Sequence, residues 1–147
     1  MASEQGIDIL KINQLAETQK EIDHLVDGKL RAIGRTEDNF VIDSRNAFHW
    51  IPGSYKVYLK IDLDIASERV FNQIQKDGRK SQYANTIEGV RIDIEKRVSS
   101  ELKRYNELYN LNYTAEDYYD LVIDTGKTSI NTVIEMILDQ HNSKHIS

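Results

Sequence analysis

The sequence has no cysteine and a single proline in its 147 residues. The absence of cysteine excludes disulfides and thiolate zinc sites, and it is compatible with a reducing cytoplasm. No apolar stretch approaches the roughly 20 residues of a membrane-spanning helix, and the first residues carry no apolar run of signal-peptide length. We therefore expect a cytoplasmic protein with no membrane partner.

The sequence also has fewer positive than negative residues, with 19 lysines and arginines against 24 aspartates and glutamates, which gives a net charge of −5. A broad surface for nucleic acid or anionic lipid requires net basic charge, so we expect neither partner, although a local basic pocket stays open. No repeat, low-complexity tract or proline-rich linker divides the chain. The sequence therefore predicts one domain over residues 1–147.

Helical and extended patterns are predicted to alternate along the chain. Asp8 is a candidate cap for a short first helix, and Gly34 and Gly78 are candidate stops for later ones. Apolar spacing predicts further helices over about 20–33, 65–76, 90–109 and 130–138, and strands over 39–43, 56–61 and 119–123. This alternation favours an α/β fold with a small parallel sheet and helices on both of its faces.

Gly126-Lys127-Thr128 lies between a predicted strand and a predicted helix, as a phosphate-binding loop does. That loop needs Gly-x-x-x-x-Gly-Lys-Ser/Thr, in which the first glycine lets backbone N–H groups wrap the phosphates. Here Leu121 holds the first-glycine position, inside a strand. We interpret the segment as a strand-to-helix turn with Ser129 as the helix cap, so the 147 residues contain no Walker A motif.

Two groups of polar residues are candidate phosphate sites. Asp43, Ser44, Arg45 and Asn46 follow a predicted strand, where ligands bind in open parallel sheets, and a guanidinium there suits a phosphate. Arg97, Glu101 and Arg104 fall on one face of a predicted helix and are able to grip a phosphate and a ribose hydroxyl. A surface salt bridge is the alternative for the first group, and a surface ion pair for the second.

The histidines give little indication of a metal or catalytic site. His141 and His145 have metal-compatible spacing, but no third ligand accompanies them, and we expect them to lie in a disordered tail. No Ser/His/Asp order or Cys/His pair indicates nucleophilic catalysis. We therefore expect no metal bound directly by the protein.

Taken together, five segments in order resemble the cytidylate kinases, in particular their archaeal-type branch. The most specific is Arg97 with the run Ser100-Glu101-Leu102-Lys103-Arg104-Tyr105-Asn106-Glu107-Leu108-Tyr109, which is similar to the family's lid and the segment behind it. The other matching segments are Glu4–Asp23, Val41–Arg45, Tyr55–Arg69 and Tyr119–Thr125. The resemblance implies a P-loop NTPase-like three-layer fold. Its regions are a helical monophosphate-binding part (1–35), core strands and helix (39–78), a lid (79–112), and a last strand and helix (118–141).

The resemblance also implies roles for individual residues. Arg45 falls where the family's arginine contacts the CMP phosphate, and Asn46 falls where bacterial members use an aspartate to meet the nucleoside. Arg97, Glu101 and Arg104 fall on lid positions that close over phosphates and sugar, with the two arginines as the catalytic candidates and Glu101 as a substrate contact. Asp43 falls at an acidic position near magnesium, where it would act through the ion's bound water.

The departures from the family pattern limit what we expect of this chain. The family begins with a strand and the phosphate loop, and Met1 aligns after them; Ser44 also replaces a glycine. The resemblance therefore implies phosphoryl transfer from ATP, with Mg²⁺, to CMP or dCMP only if the missing loop is supplied, and an isolated chain that is inactive. The alternative is a non-catalytic nucleotide-binding or protein-interaction module. Because the missing strand would leave neighbours unpaired, we expect a homo-oligomer or a complementing chain.

Overall fold

The computed structural model describes the backbone of residues 9–77 and 85–145 and the side chains of residues 18–77 and 85–144. The chain forms two compact units, Met1–Ser54 and Tyr55–Ser147. The expectation of a single domain over residues 1–147 stays a prediction. None of the described helices is long and apolar enough to cross a membrane.

The first unit consists of a long helix, α1 (Ile9–Thr36), and a short helix, α2 (Ala47–Trp50). Two helices were expected over the region of α1, but residues 16–20 contain no glycine or proline and four of the five are good helix formers, so one helix runs through. Gly34 does not end it. A Cβ at that position would lie 3.1 Å from Ile51 Cγ1, so this glycine serves close packing between helix and loop.

The strand predicted over 39–43 is wrong, because this segment is irregular. Asn39 has a φ of 56°, which interrupts extended backbone, and Val41 is 99% exposed. A strand is stabilised by hydrogen bonds to a neighbour, and within the described residues the sheet contains only two strands, both from the second unit. The apolar run therefore has no described partner that would hold it as a strand.

The second unit contains a small parallel sheet and three helices, which confirms the α/β class. Strand β1 (Val57–Lys60) pairs in parallel with β2 (Leu121–Asp124), and Val57 lies opposite Leu121. The remaining described elements are α3 (Leu63–Asp77), α4 (Ile87–Tyr109), a short 3₁₀ helix (Glu116–Tyr118) and α5 (Ile130–His145). The sheet of the described residues thus has two strands where the sequence predicted three.

Side-chain caps explain where these helices begin. Asp62 Oδ1 accepts from the Asp64 amide at 2.9 Å, and Thr86 Oγ1 accepts from the Gly89 amide at 3.0 Å. Ser129 Oγ accepts from the Thr132 amide at 3.2 Å, so the predicted cap of α5 is confirmed. The predicted stop at Gly78 and the predicted cap at Asp8 lie outside the described residues.

The carboxyl-terminal segment is helical where a disordered tail was expected. Helix α5 continues to His145. The His141 ring packs edge-on against Tyr55, with ring centroids 5.6 Å apart, and Lys144 donates to Asp120. These contacts order residues whose polar composition suggested disorder.

The core of the second unit lies where α4, β2 and the segment after α4 meet. Val90, Leu111 and Ile123 are almost fully buried, and Tyr105 of α4 is buried with them. Helix α3 packs along α4, and Ser67 enters this interface with its hydroxyl donating to the Leu63 carbonyl at 2.7 Å. The core therefore fixes the middle and carboxyl-terminal half of α4, which carries three of the candidate residues.

Candidate functional site

The candidate residues of the first unit lie in the loop that leads into α2. Asp43, Ser44 and Arg45 are exposed, whereas Asn46 is only 5% exposed. Ser44 Oγ donates to Asn46 Oδ1 at 3.2 Å and accepts from the Asn46 amide at 3.4 Å. The loop therefore presents the Arg45 guanidinium at the surface between two residues that are bonded to each other.

Asp27 is a buried carboxylate that the sequence reasoning missed. It is 2% exposed, and its Oδ1 accepts from Asn46 Nδ2 at 3.1 Å. Leu25, an apolar residue of the helix predicted over 20–33, is 69% exposed, while Leu30 and Asp27 are buried. A carboxylate three positions before a buried leucine was the available signal, since helical residues three apart share a face.

A second feature of the first unit is a cation–π pair between its two helices. The Arg31 guanidinium carbon lies 3.9 Å from the centroid of the Trp50 ring, and the His49 ring packs edge-on against Trp50 at 4.6 Å. Such a pair is worth about 0.5–1 kcal/mol at an exposed site. It helps to hold α2, and with it the loop that carries Arg45, against α1.

The candidate residues of the second unit lie on α4, where the structure brings Arg97 and Glu101 together. Arg97 Nε lies 4.0 Å from Glu101 Oε1, and the two side chains are 59% and 9% exposed. The Tyr113 hydroxyl donates to Glu101 Oε2 at 3.3 Å. The pair has the i,i+4 spacing and the exposed arginine of the surface ion-pair alternative, but its carboxyl group is buried in the unit and bonded to a buried tyrosine.

Arg104, the third candidate on α4, is half-buried. Its guanidinium carbon lies 5.3 Å from the centroid of the neighbouring Tyr105 ring. The Tyr105 ring is in edge-on contact with Tyr113 at 5.9 Å. Arg104 thus lies beside a tyrosine cluster, which we define as Tyr58, Tyr105, Tyr113 and Tyr119. Tyr113 of this cluster donates the hydrogen bond to Glu101.

The tyrosine cluster connects α4 to the sheet. The Tyr119 hydroxyl donates to the Tyr113 carbonyl at 2.5 Å, and the Tyr119 ring stacks on Tyr58 of β1 at 4.8 Å. Burial raises the pKa of both Tyr58 and Tyr119, and the charge of Glu116 raises that of Tyr58 further. Both hydroxyls therefore stay protonated near neutral pH, so Tyr119 remains a donor to the segment that carries Tyr113.

Gly126-Lys127-Thr128 follows the carboxyl end of β2 and is a turn, as predicted. The Gly126 amide donates to Asp124 Oδ1 at 2.9 Å, and the Lys127 amide donates to the Asp124 carbonyl at 3.2 Å. A Cβ on Gly126 would lie 3.0 Å from Ile65 Cδ1, so helix α3 packs closely over this turn. Two of its amides are thus already used, and the segment forms no phosphate cradle.

No group of three His, Asp or Glu side chains within the described residues is arranged as metal ligands would be. Asp43 is a single exposed carboxylate. Mg²⁺ bound to nucleotides usually takes one or two carboxylates and completes its shell with water and phosphate oxygens. The described residues therefore offer no complete ligand set for a metal, and Asp43 stays a predicted contact to water on a Mg²⁺ that would arrive with a nucleotide.

The six sequence-predicted residues fall into the two units as separate groups. Asp43, Arg45 and Asn46 belong to the first, and Arg97, Glu101 and Arg104 belong to the second. In the second unit Glu101 forms an ion pair with Arg97. In the first unit Asn46 is hydrogen-bonded to Asp27 and Ser44. Their roles toward a ligand stay predictions.

Comparison with known proteins relates the chain to nucleotide enzymes. No protein-family model matches it, and no solved structure matches it significantly. The cytidylate kinase of Methanosphaera stadtmanae is 26% identical over 137 residues, which cover 93% of this chain and 74% of that protein. The cytidylate kinase of Haloarcula marismortui is 29% identical over 141 residues, 94% of this chain and 68% of that protein.

A different kind of relative matches nearly the same region. A protein of Lacinutrix mariniflava named S-adenosylmethionine-dependent nucleotide dehydratase is 29% identical over 140 residues, which cover 95% of this chain. The chain spans only 28% of the length of that protein. The chain is therefore similar to archaeal cytidylate kinases over most of its length, and it is also similar to a quarter of a longer nucleotide enzyme.

Proposed function

We propose that this protein binds a cytidine monophosphate, CMP or dCMP, and takes part in phosphoryl transfer to it in the cytoplasm. The observation that carries the proposal is the similarity to several archaeal cytidylate kinases over more than nine-tenths of the chain. Distant similarity of that extent supports a relationship to nucleoside monophosphate kinases. The surroundings of each candidate arginine within its own unit are compatible with that relationship.

In the first unit, Arg45 has the properties of a monophosphate contact. Its side chain is exposed, and the residues on both sides of it are hydrogen-bonded to each other. Arginine presents a planar fork of N–H donors that matches two phosphate oxygens at once. A guanidinium on a loop held in this way loses less conformational freedom when it binds.

In the second unit, Arg97 and Arg104 have the properties of groups that stabilise a transferring phosphoryl group. Arg97 lies 4.0 Å from Glu101, whose carboxyl group accepts a hydrogen bond from Tyr113, and Arg104 lies beside the Tyr105 ring. Phosphoryl transfer depends on positioned positive charge more than on covalent help from the protein. We assign Glu101 the role of orienting Arg97, with contact to the sugar as its further role.

The described residues do not provide a binding site for the phosphates of ATP. The sequence contains no Walker A motif, and the amides of the turn at Gly126 are engaged with Asp124. We therefore assign to these residues the monophosphate and its transferring phosphoryl group. The loop for ATP and its Mg²⁺ would come from polypeptide beyond the given sequence or from a complementing chain, and self-association is one way to supply such a chain.

A second candidate function is that of a nucleotide-binding module without kinase activity of its own. The specific observation is the match to about a quarter of the Lacinutrix mariniflava protein. In that setting the module would bind the nucleotide that the rest of a longer enzyme modifies. The two candidates share the monophosphate site and differ in whether phosphoryl transfer takes place.

The proposed function is tested by NMR titration of the labelled chain with CMP, dCMP, UMP and AMP, followed by a CMP phosphorylation assay with ATP and Mg²⁺. We expect saturable shifts for CMP and dCMP, and a loss of binding of about tenfold in Arg45→Gln and Arg97→Gln, the scale of one charge-assisted contact. Arg35→Gln and Arg91→Gln are matched controls, since Arg35 is exposed at the end of α1, and Arg91 of α4 is paired with Asp64 of α3.

The outcomes separate the candidates. Binding with turnover supports the kinase, and binding without turnover, even when a phosphate-loop segment is supplied, supports the module. No nucleotide-dependent shift at millimolar concentrations would contradict both. Equal losses in the four arginine variants would indicate non-specific attraction of the anion to basic residues.

A further inference from the structure

We infer that Asp27 is the positioning residue of the phosphate-binding loop: its buried carboxylate fixes the Asn46 amide and thereby holds Arg45 in place. This inference rests on the proposed function for the role of Arg45. The network itself is a feature of the first unit alone. It consists of Asp27 on α1 and of Ser44 and Asn46 on either side of Arg45.

The chemistry of the three side chains fixes the orientation of the Asn46 amide. Asn46 Nδ2 donates to Asp27 Oδ1 at 3.1 Å, so the NH₂ of the Asn46 amide faces Asp27. The amide oxygen then faces Ser44, whose hydroxyl donates to it at 3.2 Å. The bond to Asp27 determines the orientation, because a half-turn would place the amide oxygen against the Asp27 oxygen, whereas the Ser44 hydroxyl is able to donate or to accept.

The burial of Asp27 indicates that the network has a purpose beyond the stability of the unit. A buried carboxylate is costly unless it is well bonded, and an apolar residue of similar size often stabilises such a position as well or better. Asp27 is nevertheless as buried as the core residues around it. The bond from Asp27 on helix α1 to Asn46 ties residue 46 to the helix, directly after the exposed residues 43–45.

The position of Arg45 between the two bonded residues connects this effect to the ligand. The Asn46 amide N–H donates to Ser44 Oγ at 3.4 Å, which closes a small ring of chain around Arg45. Because Asn46 is bonded inward, its contribution to a nucleotide site is to set the backbone at 45 rather than to contact the base. The Arg45 side chain is exposed from this fixed point.

The test uses Asp27→Asn and Asp27→Glu, with Glu37→Gln as a control that removes an exposed carboxylate of the same unit. CMP affinity is measured by calorimetry in each variant and in an Arg45→Gln background. We expect Asp27→Asn to weaken CMP about tenfold, Asp27→Glu to recover part of the loss, and Glu37→Gln to bind normally. In the Arg45→Gln background, Asp27→Asn should have no further effect, because its action passes through Arg45.

Several outcomes would overturn the inference. Unchanged CMP affinity in a folded Asp27→Asn variant would do so, and so would the same loss with and without Arg45, which indicates a merely structural effect. If Asp27→Asn does not fold, Ser44→Ala replaces it, since Ser44 is exposed; we then expect a loss of about threefold that also vanishes in the Arg45→Gln background.

A readout without nucleotide separates this inference from the proposed function. Backbone ¹⁵N order parameters at residues 44–46 should be near 0.85 in the parent chain and fall toward 0.6 in Asp27→Asn. If CMP does not bind the parent chain, the proposed function fails. The order parameters then still test whether Asp27 fixes the backbone of residues 44–46. Equal values in the two proteins would then overturn it.

Discussion

Removing one hydroxyl, in Tyr113→Phe, tests how the second unit holds Glu101. The Tyr113 hydroxyl donates to Glu101 Oε2 at 3.3 Å, and both residues are 7% exposed. A hydrogen bond to a charged group contributes about 1.5–3 kcal/mol, and the long distance places this one near the lower end. The ring and its edge-on contact with Tyr105 are retained, so the variant changes the donor and little else.

We expect Tyr113→Phe to lower the free energy of unfolding by about 1.5 kcal/mol, because water reaches the buried carboxylate poorly. For a domain of about 100 residues that corresponds to a fall in Tm of roughly 5–10 °C, measured by far-UV circular dichroism. Tyr118→Phe is the matched control, since Tyr118 is exposed at the end of the 3₁₀ helix. Equal Tm values for the two variants would refute the reasoning that Tyr113 supports Glu101.

Three further predictions concern stability and ligand range. Gly28→Ala should stabilise α1 by about 0.5–1 kcal/mol, since a Cβ there meets nothing within 4 Å. In Gly34→Ala the new Cβ would lie 3.1 Å from Ile51, so this variant should lose that gain or more. Urea titration compares the free energies of unfolding of the two variants. Burial is the largest single influence on the pKa of Asp120 and raises it, but the hydrogen bonds from Lys144 and from the Lys56 amide, together with the two lysine charges, outweigh burial and lower that pKa. The stabilisation is present above the unfolded-state pKa near 3.9 and is lost as pH falls through the lower folded value. The stability gap to Asp120→Asn should therefore close with acidification, and a constant gap would contradict this. The 147-residue chain should show no appreciable ATP binding with Mg²⁺ in calorimetry, because it has no Walker A motif; tight ATP binding would overturn the interpretation of Gly126 as part of a turn.

The second unit was largely predictable from its sequence, because its signals are local. The β-branched and aromatic run around Val57–Lys60 is a strand, and the long apolar stripe of α4 is a helix. The Ser129 cap and the turn at Gly126 follow from residue chemistry within a few positions. The helical length of α5 was missed, because its last turn depends on contacts of His141 and Lys144 with distant residues.

The first unit was harder to predict, because its structure depends on partners that spacing does not reveal. Residues 39–43 have strand composition, but a strand also needs a neighbour, and Val41 is exposed instead. The buried face of α1 includes Asp27, a residue type that is almost never fully buried unless paired. Its partner Asn46 is 19 positions away in the sequence. The sequence therefore indicated Asn46 as a candidate site residue but gave no indication that Asp27 bonds to it.

The most direct test of the central claim is a calorimetric titration of the 147-residue chain with CMP, repeated for Arg45→Gln, Arg97→Gln and Arg35→Gln. We predict saturable binding that the first two substitutions each weaken about tenfold, the effect of losing one charge-assisted phosphate contact, and that Arg35→Gln leaves unchanged. An absence of CMP binding, or the same affinity in the chain and its three variants, would contradict the assignment of these arginines to a nucleoside monophosphate.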